Sequence, residues 1–408
     1  MRSWRWWVSL SAVPQWGALA FLLWSGINAL ANQALLNELD RVREAGQPLV
    51  PAQCAKAPIP DDDNAAFPFL RAMAILKPSD AAWERQDFIE DWTRPSALGP
   101  RAELWVSANA PALEDLKKGA ARPACRFPID YSKGVAADAP DWLVSQGCAQ
   151  LLACAARLAH ERGDAPDADR LIASLLRLGV AMGEEPTLVT SMAGLSVFRM
   201  GFDLCQTAFD AGLRPGPAIR AFIRTLTPGL FKEALVASLL LERATLLSSF
   251  LSPPDAGRMP FERRVMRFAP LRPYLKWDLA RFCRLFGDAL RNARQPSESG
   301  AWLRPTTEEI RRRGGWLAAS VLPHFPTIAP LAIEADIQAD LLRCAVHAID
   351  RFDETGQWPA ASQTLDRFTA RPLGLKEKEG MLILYSAGRD GVDDGGDPAA
   401  DLVLTLGR

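Results

Sequence analysis

No charged residue lies between Arg5 and Glu38, and that gap limits what the chain can fold into more than any other feature. From Trp6 to Ala31 the sequence runs for 26 residues of mostly apolar character. A helix rising ~1.5 Å per residue over that length crosses a bilayer core of about 30 Å with some tilt. Trp4, Trp6 and Trp7 stand at one end and Trp24 toward the other, where indole rings favour the half-wet interfaces. Arg2 and Arg5 ahead of the stretch predict a cytoplasmic N-terminus, a single pass, and a periplasmic bulk. Ala29-Leu30-Ala31 has the small-x-small form of a signal-peptidase site. The helical pattern nevertheless runs on through Leu35, Leu36, Leu39 and Val42 to Gly46 before Pro48, which fits an uncleaved anchor better.

The rest of the chain has the make-up of a packed protein, with 49% hydrophobic and 23% charged residues. A net charge of −1 argues against nucleic acid as a partner, because phosphate binding needs a basic surplus. Seven cysteines are an odd number, so at least one thiol stays unpaired even in an oxidising compartment. Cys148 and Cys154 lie about 9 Å apart along one predicted helix and cannot bond each other. Cys205, Cys283 and Cys344 fall on apolar faces, which leaves Cys54 and Cys125, in Pro-rich sequence, as the better disulfide candidates. Without a C-x-x-C spacing, neither thiol redox catalysis nor structural zinc has support.

Five stretches follow in order. Residues 1–46 form the anchor and its continuing helix. Residues 47–140 read as a Pro/Trp-rich linker with short helices, including one over Ala65 to Lys77 and aromatic packing through Trp83, Trp92 and Trp105. Residues 141–252 carry the strongest helical periodicity: Leu143 to Leu158, Leu171 to Met182, Leu188 to Phe209, and Leu230 to Phe250. Stops at Gly163-Asp164, Glu184-Glu-Pro186 and Gly212 predict antiparallel helical hairpins. The stretch from Ala155 to Gly179 is weakly tetratricopeptide-like, but no 34-residue period recurs. Residues 253–332 read as a basic connector and helices. Ser252 to Pro273 holds Arg258, Arg263, Arg264, Arg267 and Arg272 among Phe261, Phe268 and prolines, a composition of solvated connectors and also of lipid-facing segments. A helix is expected over Asp278 to Ala293, a charged surface turn at Arg311 to Arg313, and helix from Trp316 interrupted at Pro323, Pro326 and Pro330. Residues 333–408 predict a small α+β module, a long helix plus an antiparallel β-hairpin. The fold class is therefore mainly α.

Chemistry-bearing residues are sparse. None of the three histidines, His160, His324 and His347, has a second ligand one helical turn away. Glu184-Glu185 and Glu308-Glu309 are adjacent pairs whose side chains diverge, and no nucleophile elbow, phosphate loop or dinucleotide fingerprint is present. The exception is the loop between the last two strands, with Asp390, Asp393, Asp394, Asp397 and Asp401 among Gly388, Gly391, Gly395 and Gly396. Calcium takes six to eight hard oxygens, often from carboxylates on a glycine-bent loop. The spacing is not that of an EF-hand, because no glutamate closes it, and a solvated acidic turn is the plainer reading.

Tyr385-Ser-Ala-Gly-Arg-Asp-Gly391, followed by Asp401-Leu-Val403, resembles the ending of the major pseudopilin of type II secretion. Ile333 to Phe352 with Asp353-Glu-Thr-Gly-Gln-Trp-Pro359 resembles the point where the pilin-type helix of that family ends. The resemblance implies calcium binding by Asp390 and its neighbours. It departs from the family at Arg371 to Lys378, and its helix is not N-terminal, so the chain is not itself a pilin subunit. The whole chain is similar to a set of bacterial membrane-anchored proteins, through Glu38 to Pro48, Cys125 to Asp130 and Glu185 to Val189. No activity comes with that set. These features predict an envelope scaffold with protein partners. An enzyme would instead show a deep polar pocket among the 143–250 helices, lined by carboxylates held protonated, and a third expectation is an accessory partner of a secretion apparatus.

Overall fold

The apolar periodicity becomes a helical body, described by the computed structural model over residues 4–79, 92, 99–137, 139–251, 269–294, 306–316, 319 and 325–407. In chain order the helices among the described residues begin with α1 (Trp4–Glu44), α2 (Ala66–Ile75), α3 (Gly99–Ala108) and α4 (Ala110–Ala120). The hairpins follow as α5 (Trp142–Glu161), α6 (Ala165–Gly183) and α7 (Leu188–Asp210), then α8 (Pro217–Thr225) and α9 (Leu230–Leu251). The last are α10 (Arg272–Arg294), α11 (Thr307–Arg313) and α12 (Phe325–Thr355). Local chemistry sets the hairpin ends. Asp141, Asp164 and Thr187 side chains accept backbone N–H bonds in the first turns of α5, α6 and α7. Gly163, at φ +76°, takes the left-handed conformation that closes α5.

Helices α6 and α7 cross backbone against backbone. A Cβ on Gly194 would lie 2.1 Å from the Gly183 nitrogen, and one on Gly179 would lie 2.6 Å from the Phe198 nitrogen. Two other helices receive their N-terminal caps from distant elements. Asp169 on α6 accepts from Gly216 N and Ala218 N, both at 2.8 Å, at the start of α8. Asp336 on α12 accepts from Phe231 N at 2.9 Å and Lys232 N at 3.1 Å at the start of α9. Both carboxylates are buried, so each pins two helices where orphan N–H groups would otherwise lack partners. One continuous apolar cluster runs from Leu35 of α1 through these helices to Leu406 near the C-terminus.

The C-terminal sheet is antiparallel, ordered β1 (Gly374–Lys378), β2 (Met381–Ser386) and β3 (Leu402–Leu406). Glu379 and Gly380, at φ +55° and +83°, form the two-residue turn that joins β1 to β2. Leu384 sits opposite Leu375 on one side and Leu404 on the other. Leu382, Leu384, Leu404 and Leu406 face the core, to which α12 also contributes.

Several expectations change. The hairpin is three-stranded, because Gly374 to Lys378, which departs from the pseudopilin pattern, supplies β1. Helix α12 starts at Phe325 and carries Pro330 inside it, so no break occurs there. Only the first turns are affected by the missing N–H, and the buried stripe from Ile333 onward holds the rest. Residues 307–313 form a helix with a capping box, Thr306 Oγ1 accepting from Glu309 N and Glu309 Oε2 accepting from Thr306 N. The segment Pro217–Thr225, unassigned in the sequence reading, is α8. All seven cysteines are thiols, so Cys54 and Cys125 are not joined. Burial pushes the Cys125 thiol up to about 12, with Glu185 adding to it, while the Cys54 thiol, up to about 11 through burial, has Arg243 for its charged neighbour. Trp92 is buried with its ring centroid 4.9 Å from that of His160, and Trp105 Nε1 donates to Lys77 O at 3.0 Å. Trp83, His324 and the basic stretch over 252–268 lie outside the described residues.

Candidate functional site

The acidic loop leaves β2 at Ser386 and returns at Leu402. Three of its aspartates bend the backbone beside them. Asp390 Oδ1 accepts from Val392 N, Asp393 Oδ1 from Gly395 N and Asp397 Oδ1 from Ala399 N, at 3.1, 2.9 and 3.0 Å. Each is a side chain bonding the amide two residues on, the usual reason aspartate favours turns. Gly396, at φ +77°, lies against Tyr385, whose Cδ1 would be 3.0 Å from a Cβ placed there. Asp401 differs from the others. It is buried, its Oδ2 accepts from Gly396 N at 2.7 Å, and its Oδ1 has no hydrogen-bond partner. Desolvation, then the charges of Asp401, Asp390, Asp397 and Asp393 in that order, push the Asp394 carboxyl above its ordinary range. The five carboxylates thus share one field. As placed, however, no three His, Cys, Asp or Glu side chains among the described residues are spaced to hold a metal ion.

The loop is held at its root by residues that sequence reasoning missed. Asp366, 2% exposed, accepts from Phe368 N at 2.8 Å, Ser386 Oγ at 2.9 Å and Ala387 N at 3.0 Å. It joins the segment before β1 to the end of β2. Arg389 closes the other side with a two-pronged contact to Glu334 of α12. Neither Asp366 nor Glu334 belongs to a motif, and their partners are distant in sequence.

The second candidate is the N-terminal helix. Residues 16–23 of α1 are exposed, among them Trp16, Phe21, Leu22 and Leu23, and contacts with the body begin at Trp24. From Ala31 a buried residue recurs at Leu35, Glu38 and Val42, the stripe that lies along α10. Arg284 of α10 fixes it, its Nη2 donating to Glu38 Oε1 at 2.7 Å. Among the described residues, three helices are long and apolar enough to cross a membrane: the stretch Trp16–Glu44 of α1, Leu188–Asp210 and Leu230–Leu251. They differ in surroundings. Only 11% of the α1 window is buried in the protein, against 61% for each of the other two.

Three clefts among the described residues differ in their lining. One of about 290 Å³ is lined by Val189, Met192, Val197 and Met200, with no carboxylate. One of about 450 Å³ between α4, α6 and α8 is lined by Lys117, Arg122, Arg170 and Arg177, again with no carboxylate. One of about 410 Å³ between α9, α10 and α12 does contain Asp336, Asp340 and Asp366. Burial raises the Asp336 carboxyl, but both of its oxygens cap α9, and Asp340 pairs with Arg343 and Arg367.

The other perturbed carboxyl is Glu185, at the α6–α7 turn. Burial raises it to about 7, partly offset by Lys56, Arg126 and a bond from Phe127 N, and its Oε1 has no partner. With a folded value above the ordinary 4.5, the folded chain binds the extra proton between those limits. Stability is therefore unaffected below about pH 4.5 and falls as pH rises through 7, by roughly 3 kcal/mol in total. Glu185→Gln is expected to flatten that decline, so that melting temperatures of variant and parent diverge progressively above pH 5. Parallel melting curves from pH 4 to 8 would refute the assignment.

Comparison of the chain with protein-family models, curated proteins and solved structures finds no match.

Proposed function

We propose that the chain is a single-pass, membrane-anchored scaffold of the bacterial envelope, with its body outside the cytoplasmic membrane and offering helical-hairpin surfaces, weakly tetratricopeptide-like, to protein partners. The observation that carries this reading is the change along α1 from bare to docked at Trp24. From Trp4 to Leu23 the helix rises about 30 Å, one hydrocarbon core, and residues 16–23 within it are exposed. Helices α7 and α9, equally apolar, are packed inside the body, and α9 carries Arg243, buried and bonded to Gln47 at 2.6 Å. That supports counting one crossing. Expressed with a C-terminal tag, the chain should stay in the membrane pellet after carbonate extraction, and protease added to spheroplasts should remove the tag. Release by carbonate would overturn the anchor, and protection of the tag would overturn the orientation.

We further propose calcium as a structural ligand of the acidic loop, with Asp401 supplying the first oxygen. Its buried, unpartnered Oδ1 supports this, together with the crowding that raises Asp394. Binding would require the exposed Asp390, Asp393, Asp394 and Asp397 to turn toward Asp401. Titration calorimetry of the detergent-solubilised chain should detect a site below millimolar calcium that Asp401→Asn weakens at least tenfold, about 1.4 kcal/mol. An unchanged isotherm in that variant would leave the loop as an acidic turn.

A further inference from the structure

We propose that the first turns of α10 and the turn just before it form a second membrane contact, resting Leu271, Tyr274 and Trp277 in the interface of the phospholipid bilayer that α1 enters. The inference builds on the anchored reading of α1. Two bonds set its depth. Trp24 Nε1 donates to Ala269 O at 3.1 Å, and Lys276 Nζ donates to Asn28 Oδ1 at 3.2 Å. Lower down, Arg284 meets Glu38, so α10 runs parallel to α1 and away from the bare end. Counting from Arg5, Trp24 lies about 28 Å along the helix, at the far boundary of a bilayer core. The start of α10 is therefore held level with the headgroups.

What stands there is apolar and aromatic. Leu271, Tyr274 and Trp277 are 42%, 54% and 38% exposed, while Pro273, Leu275, Asp278 and Leu279 of the same turns are buried. Tyrosine and tryptophan are the side chains that settle at a membrane interface, with an apolar ring and one polar atom for water. Tyr274 and Trp277 are two such residues, and Leu271 adds an exposed aliphatic side chain three residues earlier. A single helix in a bilayer is free to tilt and rotate. A second contact beside it removes that freedom.

The test places the photoreactive residue p-benzoylphenylalanine, one position at a time, at Leu22, Tyr274, Trp277 and Val392 of the full chain. Each variant is reconstituted into vesicles of phosphatidylcholine and phosphatidylglycerol, irradiated, and analysed by mass spectrometry. Val392 is exposed on the acidic loop of the C-terminal module. Lipid adducts at Leu22, Tyr274 and Trp277, with none at Val392, are expected. Adducts at Leu22 alone would overturn the second contact and leave the anchor standing. Absence of adducts at Leu22 would overturn the anchor, and this inference with it. Crosslinks from 274 or 277 to another copy of the chain would overturn the lipid contact in favour of self-association.

Discussion

Asp366→Ala is expected to lower unfolding free energy by roughly 3–5 kcal/mol, since a buried group left unsatisfied costs about 1–3 kcal/mol. The change strips partners from Phe368 N, Ser386 Oγ and Ala387 N together, all in buried residues. It also frees the root of the acidic loop from the segment before β1. Asp366→Asn keeps one acceptor oxygen and should lose less. Urea titration of the detergent-solubilised chain checks both, and a loss under about 1 kcal/mol for the alanine variant would show that the carboxylate is replaceable by water.

Gly194→Ala is expected to be as damaging, despite adding a single methyl group. The new Cβ would meet the Gly183 nitrogen at 2.1 Å and its Cα at 2.5 Å, backbone atoms that no rotamer change can move aside. Helices α6 and α7 would have to part, at ~3 kcal/mol or more, the upper range for overpacking. Gly287 in α10 is the control of opposite sign. A Cβ there meets only Arg291 Nη1, at 3.6 Å, so Gly287→Ala should gain up to about 1 kcal/mol from helix propensity. A pair of variants that melt alike would refute the close crossing.

Features whose cause lies within a few residues were legible in the sequence. Gly163-Asp164 and Glu184-Glu-Pro186 mark hairpin ends because caps and breakers act locally, and α5 and α6 end and α6 and α7 begin beside them. Helix α8 had a readable signal, Pro217 at its start and Ile219, Phe222 and Ile223 on one face, but its nine residues are short for periodicity to register. Strand β1 was obscured because Lys376 to Lys378 lie on a solvent-facing edge and carry charge in place of alternation. Asp169, Asp336 and Asp366 act on backbone amides of other elements, and only the fold brings those together. The acidic loop was the reverse case. Its aspartates and glycines stood out in sequence, yet three of the carboxylates are engaged in bending their own turns, and Asp401 alone is buried with an oxygen to spare.

Helix α10 also sets a length. Its 23 residues rise about 34 Å from the end that meets Trp24 to the end that borders the cleft beside α12. In the anchored arrangement proposed above, that far end of α10 is then held about four screening lengths from the headgroups, each being about 8 Å at physiological salt. At that height the negative potential of an anionic leaflet has decayed, so the carboxylates of the cleft there, Asp336, Asp340 and Asp366, neither repel the bilayer nor compete with it for cations. Because α1 runs unbroken from the lipid into its dock on α10, that elevation does not fluctuate as it would on a flexible leash. Partners of the body would then be sampled from one thin layer beside the membrane, in one orientation.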